Sequence, residues 1–114
     1  MQGTTLNTII ERVKALNIPI AHNEFVATKQ NPAPQPPFIC WLSSEKQRGS
    51  DEKNRIKEIN GSLELYTDRV ADPLKEALIE TKILYDIPFQ KSQALIREEN
   101  MVQTAYDFVT TEKI

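Results

Sequence analysis

The stretch RIKEINGSLELYT, residues 55–67, decides the fold of this chain. Ile59, Gly61, Leu63 and Leu65 alternate with Asn60, Ser62, Glu64 and Tyr66. A period of two sends successive side chains to opposite faces, so the stretch predicts a strand with one apolar face. It is long, about 12 residues against a usual ~5–6. That length predicts a strand that projects past its own sheet, in a hairpin with residues 38–45. Gly61 in its middle predicts either a bulge or a place where another backbone comes close.

Upstream, Phe38, Ile39, Cys40, Trp41 and Leu42 form a continuous apolar run, the pattern of a strand covered on both faces. The run NPAPQPP at 31–37 precedes it. Four prolines in seven residues exclude a helix there and predict an extended loop. Residues 43–54, SSEKQRGSDEKN, are polar and charged around Gly49 and predict a mobile loop. Residues 20–26 predict a further strand. At the start, Leu6, Ile9, Ile10, Val13 and Leu16 share one face of an amphipathic helix over 5–16. Thr5 is its expected N-cap, and Asn17 and Pro19 end it.

Downstream, residues 73–84 predict a second helix, with Asp72 as cap and Pro73 at the first helical position. Its expected core stripe is Leu74, Ala77, Leu78, Thr81 and Leu84, widened by Ile79 and Ile83. Residues 85–89 predict a short strand, and 91–96 an extended segment. Residues 101–111 predict the final strand, with Val102, Thr104, Tyr106 and Phe108 on one face and Gln103, Ala105, Asp107 and Val109 on the other. The order is α-β-β-β-α-β-β. It predicts one α+β domain over 1–114, a mixed, mostly antiparallel sheet flanked by two helices.

The totals narrow the function. The chain has 114 residues, 39% hydrophobic and 26% charged, which suits a single folded domain. Its 14 basic and 16 acidic residues leave a formal charge of −2, which removes the basic excess that nucleic-acid binding needs. Cys40 is the one cysteine, so no internal disulfide can form, as suits a reducing compartment. No leader-like start and no apolar run of about 18 residues is present, which predicts a soluble chain made in the cytoplasm.

Convergent catalytic groups are not apparent. His22 and Cys40 are single, and a thiol between Ile39 and Trp41 reads as packing rather than as a nucleophile. Glu98 and Glu99 are adjacent and read as solvated acids in a turn before the last strand. Gly3, Gly49 and Gly61 are too scattered for a phosphate loop. Pro34-Gln-Pro-Pro37 matches a P-x-x-P ligand pattern but runs straight into an apolar strand. The expectation is no catalytic, metal or cofactor site. Lys46, Arg48, Lys53, Arg55 and Lys57 interleave with Glu45, Asp51, Glu52 and Glu58, which reads as a solvated mixed-charge loop or as one reaching a neighbouring protein.

Three stretches together carry a resemblance: PPFICWL at 36–42, LELYTDRVADPLKEALIE at 63–80 and IREENMVQTAYDFVT at 96–110. With them the chain resembles small virion proteins of the head–tail connection in tailed phages and prophages of Gram-positive bacteria, in particular the tail terminator (tail completion) type. The resemblance implies a mixed sheet flanked by helices and a homo-hexameric ring. Such a ring caps the tail tube and docks the head connector, and DNA passes through it without sequence-specific binding. It also implies a place in the virion neck. Neighbouring connector proteins, including head completion or stopper proteins, share similar lengths and folds, and a monomeric adaptor using 31–37 is a third reading. The candidate subunit or tube contacts are Pro34, Pro36, Lys46, Gln47, Arg48, Asp51, Glu52, Lys53, Arg55, Glu64 and Tyr66.

Overall fold

A computed structural model describes residues 4–23, 34–48 and 56–113, without the side chains of Arg48 and Lys113. Two short helices lie on one face of a five-stranded sheet. The elements are α1 (Leu6–Lys14), β1 (Ile20–His22), β2 (Phe38–Arg48), β3 (Ile56–Asp68), α2 (Pro73–Leu78), β4 (Phe89–Ile96) and β5 (Met101–Lys113). The strands lie in the order β1-β2-β3-β5-β4, with β1 parallel to β2 and every other pair antiparallel. This is the α+β, mostly antiparallel architecture that the alternation and the helix periodicities predict.

α1 forms as its pattern dictates. The Thr5 hydroxyl accepts from the Thr8 N–H, one of the four donors a helix start leaves without partners. Leu6, Ile9, Ile10 and Val13 are buried on one side. Asn17 then takes a left-handed conformation (φ 58°), which Asn tolerates better than most residues, and the helix stops.

Thirteen-residue β3 and β5 pair along their whole length, from Ile56↔Lys113 to Asp68↔Met101. β2 pairs with β3 from Phe38↔Tyr66 to Arg48↔Ile56. The predicted 43–54 loop is therefore corrected: 43–48 is strand, and 49–54 lies outside the described residues. The polar run looked like a loop because both faces of this strand end are wet. Ser43 and Glu45 share the helix-side face with Ile39, yet both are exposed. Polar composition there reports the missing cover, not a missing strand. Further back, Ile39 and Cys40 are buried on opposite faces, while Phe38, Trp41 and Leu42 are half-buried. Of the predicted 20–26 strand, Ile20–His22 is seen as β1, and 24–26 lies outside the described residues.

The core lies between the helices and the sheet face that carries Ile39, Ile59, Leu63, Leu65, Tyr106 and Phe108. Gly61 neither bulges nor meets another backbone, so that expectation is corrected. Its pairing with Phe108 on β5 is regular, and the Phe108 ring fills the space its own side chain leaves. A Cβ at position 61 would sit 2.6 Å from that ring. Glycine is required here for room, as where an aromatic covers a strand glycine.

The second helix departs most from expectation. Asp72 caps it and Pro73 begins it, as predicted. After Leu78 it widens into a π-helical turn over Ile79–Ile83, with Leu84 N–H donating to Ile79 C=O at 2.9 Å. The buried residues are Glu76, Ile79, Ile83 and Leu84. Of the expected stripe only Leu84 is buried; Leu74 is 79% exposed, and Leu78, Ala77 and Thr81 are also exposed. Two stripes compete on this helix, and the one bearing Glu76 and Glu80 wins because both carboxylates find partners beneath it. Residues 85–88 form a turn, not the predicted strand, and β4 begins at Phe89. Residues 97–100 turn into β5, with Asn100 in a left-handed conformation (φ 57°).

Candidate functional site

Two polar constellations stand on the sheet, one on each face. On the helix side, Lys91 of β4 reaches Glu76 at 2.7 Å and Glu80 at 2.9 Å. The buried Tyr106 hydroxyl donates to the same Glu80 oxygen at 2.9 Å, and Gln93 donates to Thr104 at 2.9 Å. Glu76 is only 8% exposed, and a carboxylate so placed needs a partner. The hydrogen bonds to Glu76 and then Glu80 hold the Lys91 ammonium above its ordinary range. Glu80 is pulled below its ordinary range, first by Lys91. Burial first, and then Glu80, raises Tyr106. The cluster fastens α2 to the sheet, and every charged member is matched. A signal for it was in the sequence: Glu76 and Glu80 are four apart on the face of Ile79 and Ile83.

On the other face, Glu64 accepts from Tyr66 at 3.1 Å and from Gln103 at 2.8 Å, and Gln103 also donates to the Tyr66 oxygen at 2.9 Å. Burial, then the Glu64 charge, pushes the Tyr66 hydroxyl up to about 12, so it stays a protonated donor. Phe38 stacks on Tyr66 with ring centroids 4.9 Å apart. Pro34, Pro36, Cys40, Tyr66 and Met101 border a hollow of about 500 Å³ here. A larger groove of about 700 Å³ lies further along, beside Leu42, Ser44, Ser62, Gln90, Asp107 and Val109.

The candidate contact residues separate into groups. Pro34, Pro36 and Tyr66 meet around the smaller hollow, with Glu64 bonded to Tyr66. Lys46 and Gln47 lie at the far end of β2, exposed. Lys46 pairs with Glu58 and Phe38 with Tyr66, so eight residues, about 26 Å of strand, separate the two groups. Arg48 ends β2. Asp51, Glu52, Lys53 and Arg55 lie outside the described residues.

The register places His22 beside Trp41, stacked at 3.9 Å, and Cys40 beside Ala21, on the opposite face. No cysteine–histidine pair arises from that arrangement. Among the described residues no group of three or more His, Cys, Asp or Glu side chains is placed to hold a metal ion. No helix among them is long and apolar enough to cross a membrane. Glu98 and Glu99 are exposed in the turn before β5, where their sequence position puts them.

No protein-family model matches the chain, and no curated protein matches it.

Proposed function

We propose that this chain is a structural virion protein of the tail terminator type, a subunit that assembles with copies of itself into a ring. The ring, a hexamer by the resemblance, caps the tail tube, joins it to the head connector and lets DNA pass. The observation that carries the reading is the end of the sheet formed by 46–48, 56–58 and 111–113. There β2, β3 and β5 run beyond the last core residue, Ile59, as a polar ribbon that no helix covers among the described residues. A strand ribbon of this kind offers backbone and side-chain contacts to a neighbour and contributes little to its own core. The near-neutral charge of −2 suits a ring through which DNA must slide without sticking.

Electron microscopy of virions made without this chain tests the proposal. Tails of uncontrolled length, or finished tails that fail to join heads, are expected. Normal-length tails beside empty, leaking heads would replace this reading by the head completion or stopper role. Intact, filled virions would overturn the connector role altogether.

A further inference from the structure

The outer edge of β4 is open. β4 pairs only with β5, so the edge over Phe89–Ile96 carries no neighbouring strand among the described residues. Edge strands are commonly protected by proline, by a bulge or by free charge. β4 contains no proline, and its register with β5 is unbroken. Its one charge, Lys91, is held by Glu76 and Glu80 of its own chain. Residues 90–95 are exposed without interruption, including Leu95 at 55%. The other open stretch of edge, 42–48 of β2, carries Glu45, Lys46 and Arg48 instead.

A second feature lies above the same edge. Leu74, Ala77, Leu78 and Thr81 form the stripe of α2 and its π-helical turn that the core leaves out, and all four are exposed. The Thr81 hydroxyl is already satisfied by the Ala77 carbonyl at 2.6 Å. Ile79 is buried in the core, and Ala77 stands two residues from it, about 200° round the helix, on the side away from the core.

Distance ties the two features together. Glu76 and Glu80 bind Lys91 on β4, and the Tyr106 hydroxyl on β5 donates to Glu80. The helix therefore rests over the β4–β5 pair, about half a strand spacing inside the edge. A two-fold axis at that edge, perpendicular to the sheet, sets β4 of a second copy antiparallel to this one at ~4.8 Å and keeps the helices on one side. The two helices then stand two strand spacings apart, about 10 Å. Helices pack at ~8–10 Å. One operation closes the strand layer and the helix layer together. A bare strand from another protein would fill the edge and leave the stripe wet, so the pair of features selects a second copy of this chain.

Side chains fit the same operation. Centred on Ser92, the antiparallel pair sets exposed Leu95 opposite Phe89 of the second copy, at both ends of the joint, on the helix side of the sheet. Lys91 falls opposite Gln93, so no like charges stand directly opposite each other.

We infer that the free chain forms a two-fold dimer, with β4 paired to β4 in one continuous sheet and the exposed stripes of the two α2 helices packed across the axis. This inference does not rest on the ring reading. An isologous joint closes at two copies and is a different surface from the heterologous contact that a ring needs. The end of the sheet at 46–48, 56–58 and 111–113 takes no part in it.

Light scattering and cysteine cross-linking of the full chain test it. Ser92→Cys places two thiols opposite each other across the axis, within reach of a short thiol cross-linker. Gln90→Cys puts its two thiols four residues apart along the joint, at least ~13 Å, beyond that reach. Cys40 is buried and adds no background. The chain is expected to be a dimer, linked through Ser92→Cys to two copies and no further, and not linked through Gln90→Cys. Ala77→Arg, which leaves β4 untouched, is expected to weaken dimerisation at least about tenfold by setting like charges across the axis. A monomer at every concentration would overturn the inference. So would a dimer that Ser92→Cys does not link, or one that Ala77→Arg leaves as tight as before. A larger oligomer without the Ser92→Cys link would end this inference and leave the ring standing, while virions that are intact without the chain would end the ring reading and leave the dimer standing.

Discussion

Leu63 and Glu64 are neighbours in β3, yet they belong to different environments. Leu63 is fully buried under the helices beside Ile9, Ile79 and Ile83 in one apolar cluster. Glu64, on the opposite face, is half-buried and satisfied by Tyr66 and Gln103. The helix face is held by dry packing and one matched charge cluster. The open face is held by hydrogen bonds that water can replace. One face stores the stability of the domain, while the other remains available for contacts.

Substitution at these two positions measures the contrast directly. Leu63→Ala leaves a cavity where little can collapse and should cost about 3 kcal/mol. Glu64→Ala, partly exposed to water, should cost under about 1 kcal/mol. Urea unfolding of both variants checks this, and equal losses would erase the distinction between the faces.

Gly61 tests how tightly the helix face is filled. Gly61→Ala forces a buried aromatic ring, Phe108, to move and should cost about 2 kcal/mol. A variant as stable as the parent would mean that the ring shifts freely and that the face is loosely packed at that point. Nearby, the buried Thr110 hydroxyl has no hydrogen-bond partner among the described residues, which marks where the well-packed layer ends.

The smallest expected effect lies at the rim, where Arg12 of α1 binds Asp86 by two hydrogen bonds of 2.8 and 3.1 Å and also donates to the Ile83 carbonyl at 2.8 Å. The bond from Arg12, and then one from Thr4, holds the Asp86 carboxyl down at about 2. An unfolded aspartate titrates near about 4. The depressed folded value means that the stabilisation is complete above about pH 4 and fades as pH falls toward 2. Both side chains are partly in water, so it should amount to under about 1 kcal/mol. The stability gap between the parent and Asp86→Asn should therefore close over that window in acid titrations followed by circular dichroism. A gap unchanged at pH 2 would show that the charge contributes nothing.

Much of the fold is legible along the chain. β3 and β5 announce themselves by strict alternation, and α1 by an apolar stripe bounded by Thr5 and Asn17. The failures share one cause. At 43–48, at 73–84 and at 85–88 the local pattern fits more than one partner. Polar residues suit a loop or an uncovered strand. Helix α2 carries two stripes, and the choice fell to the one whose Glu76 and Glu80 could reach Lys91 and Tyr106 across the sheet. Tyr85 has the composition of a strand residue but instead lies under the Arg12 guanidinium, 4.4 Å from its carbon. The candidate contacts were less legible, because Pro34 and Tyr66 share a hollow only after the sheet has formed.

By itself the sequence determined the class of fold, the central strands, the first helix and the caps, because side-chain periodicity and backbone preferences act over a few residues. Only the tertiary structure decided which face of α2 is buried and how far β2 runs. Those outcomes depend on partners distant along the chain, whose position is fixed only when the strands have found their order.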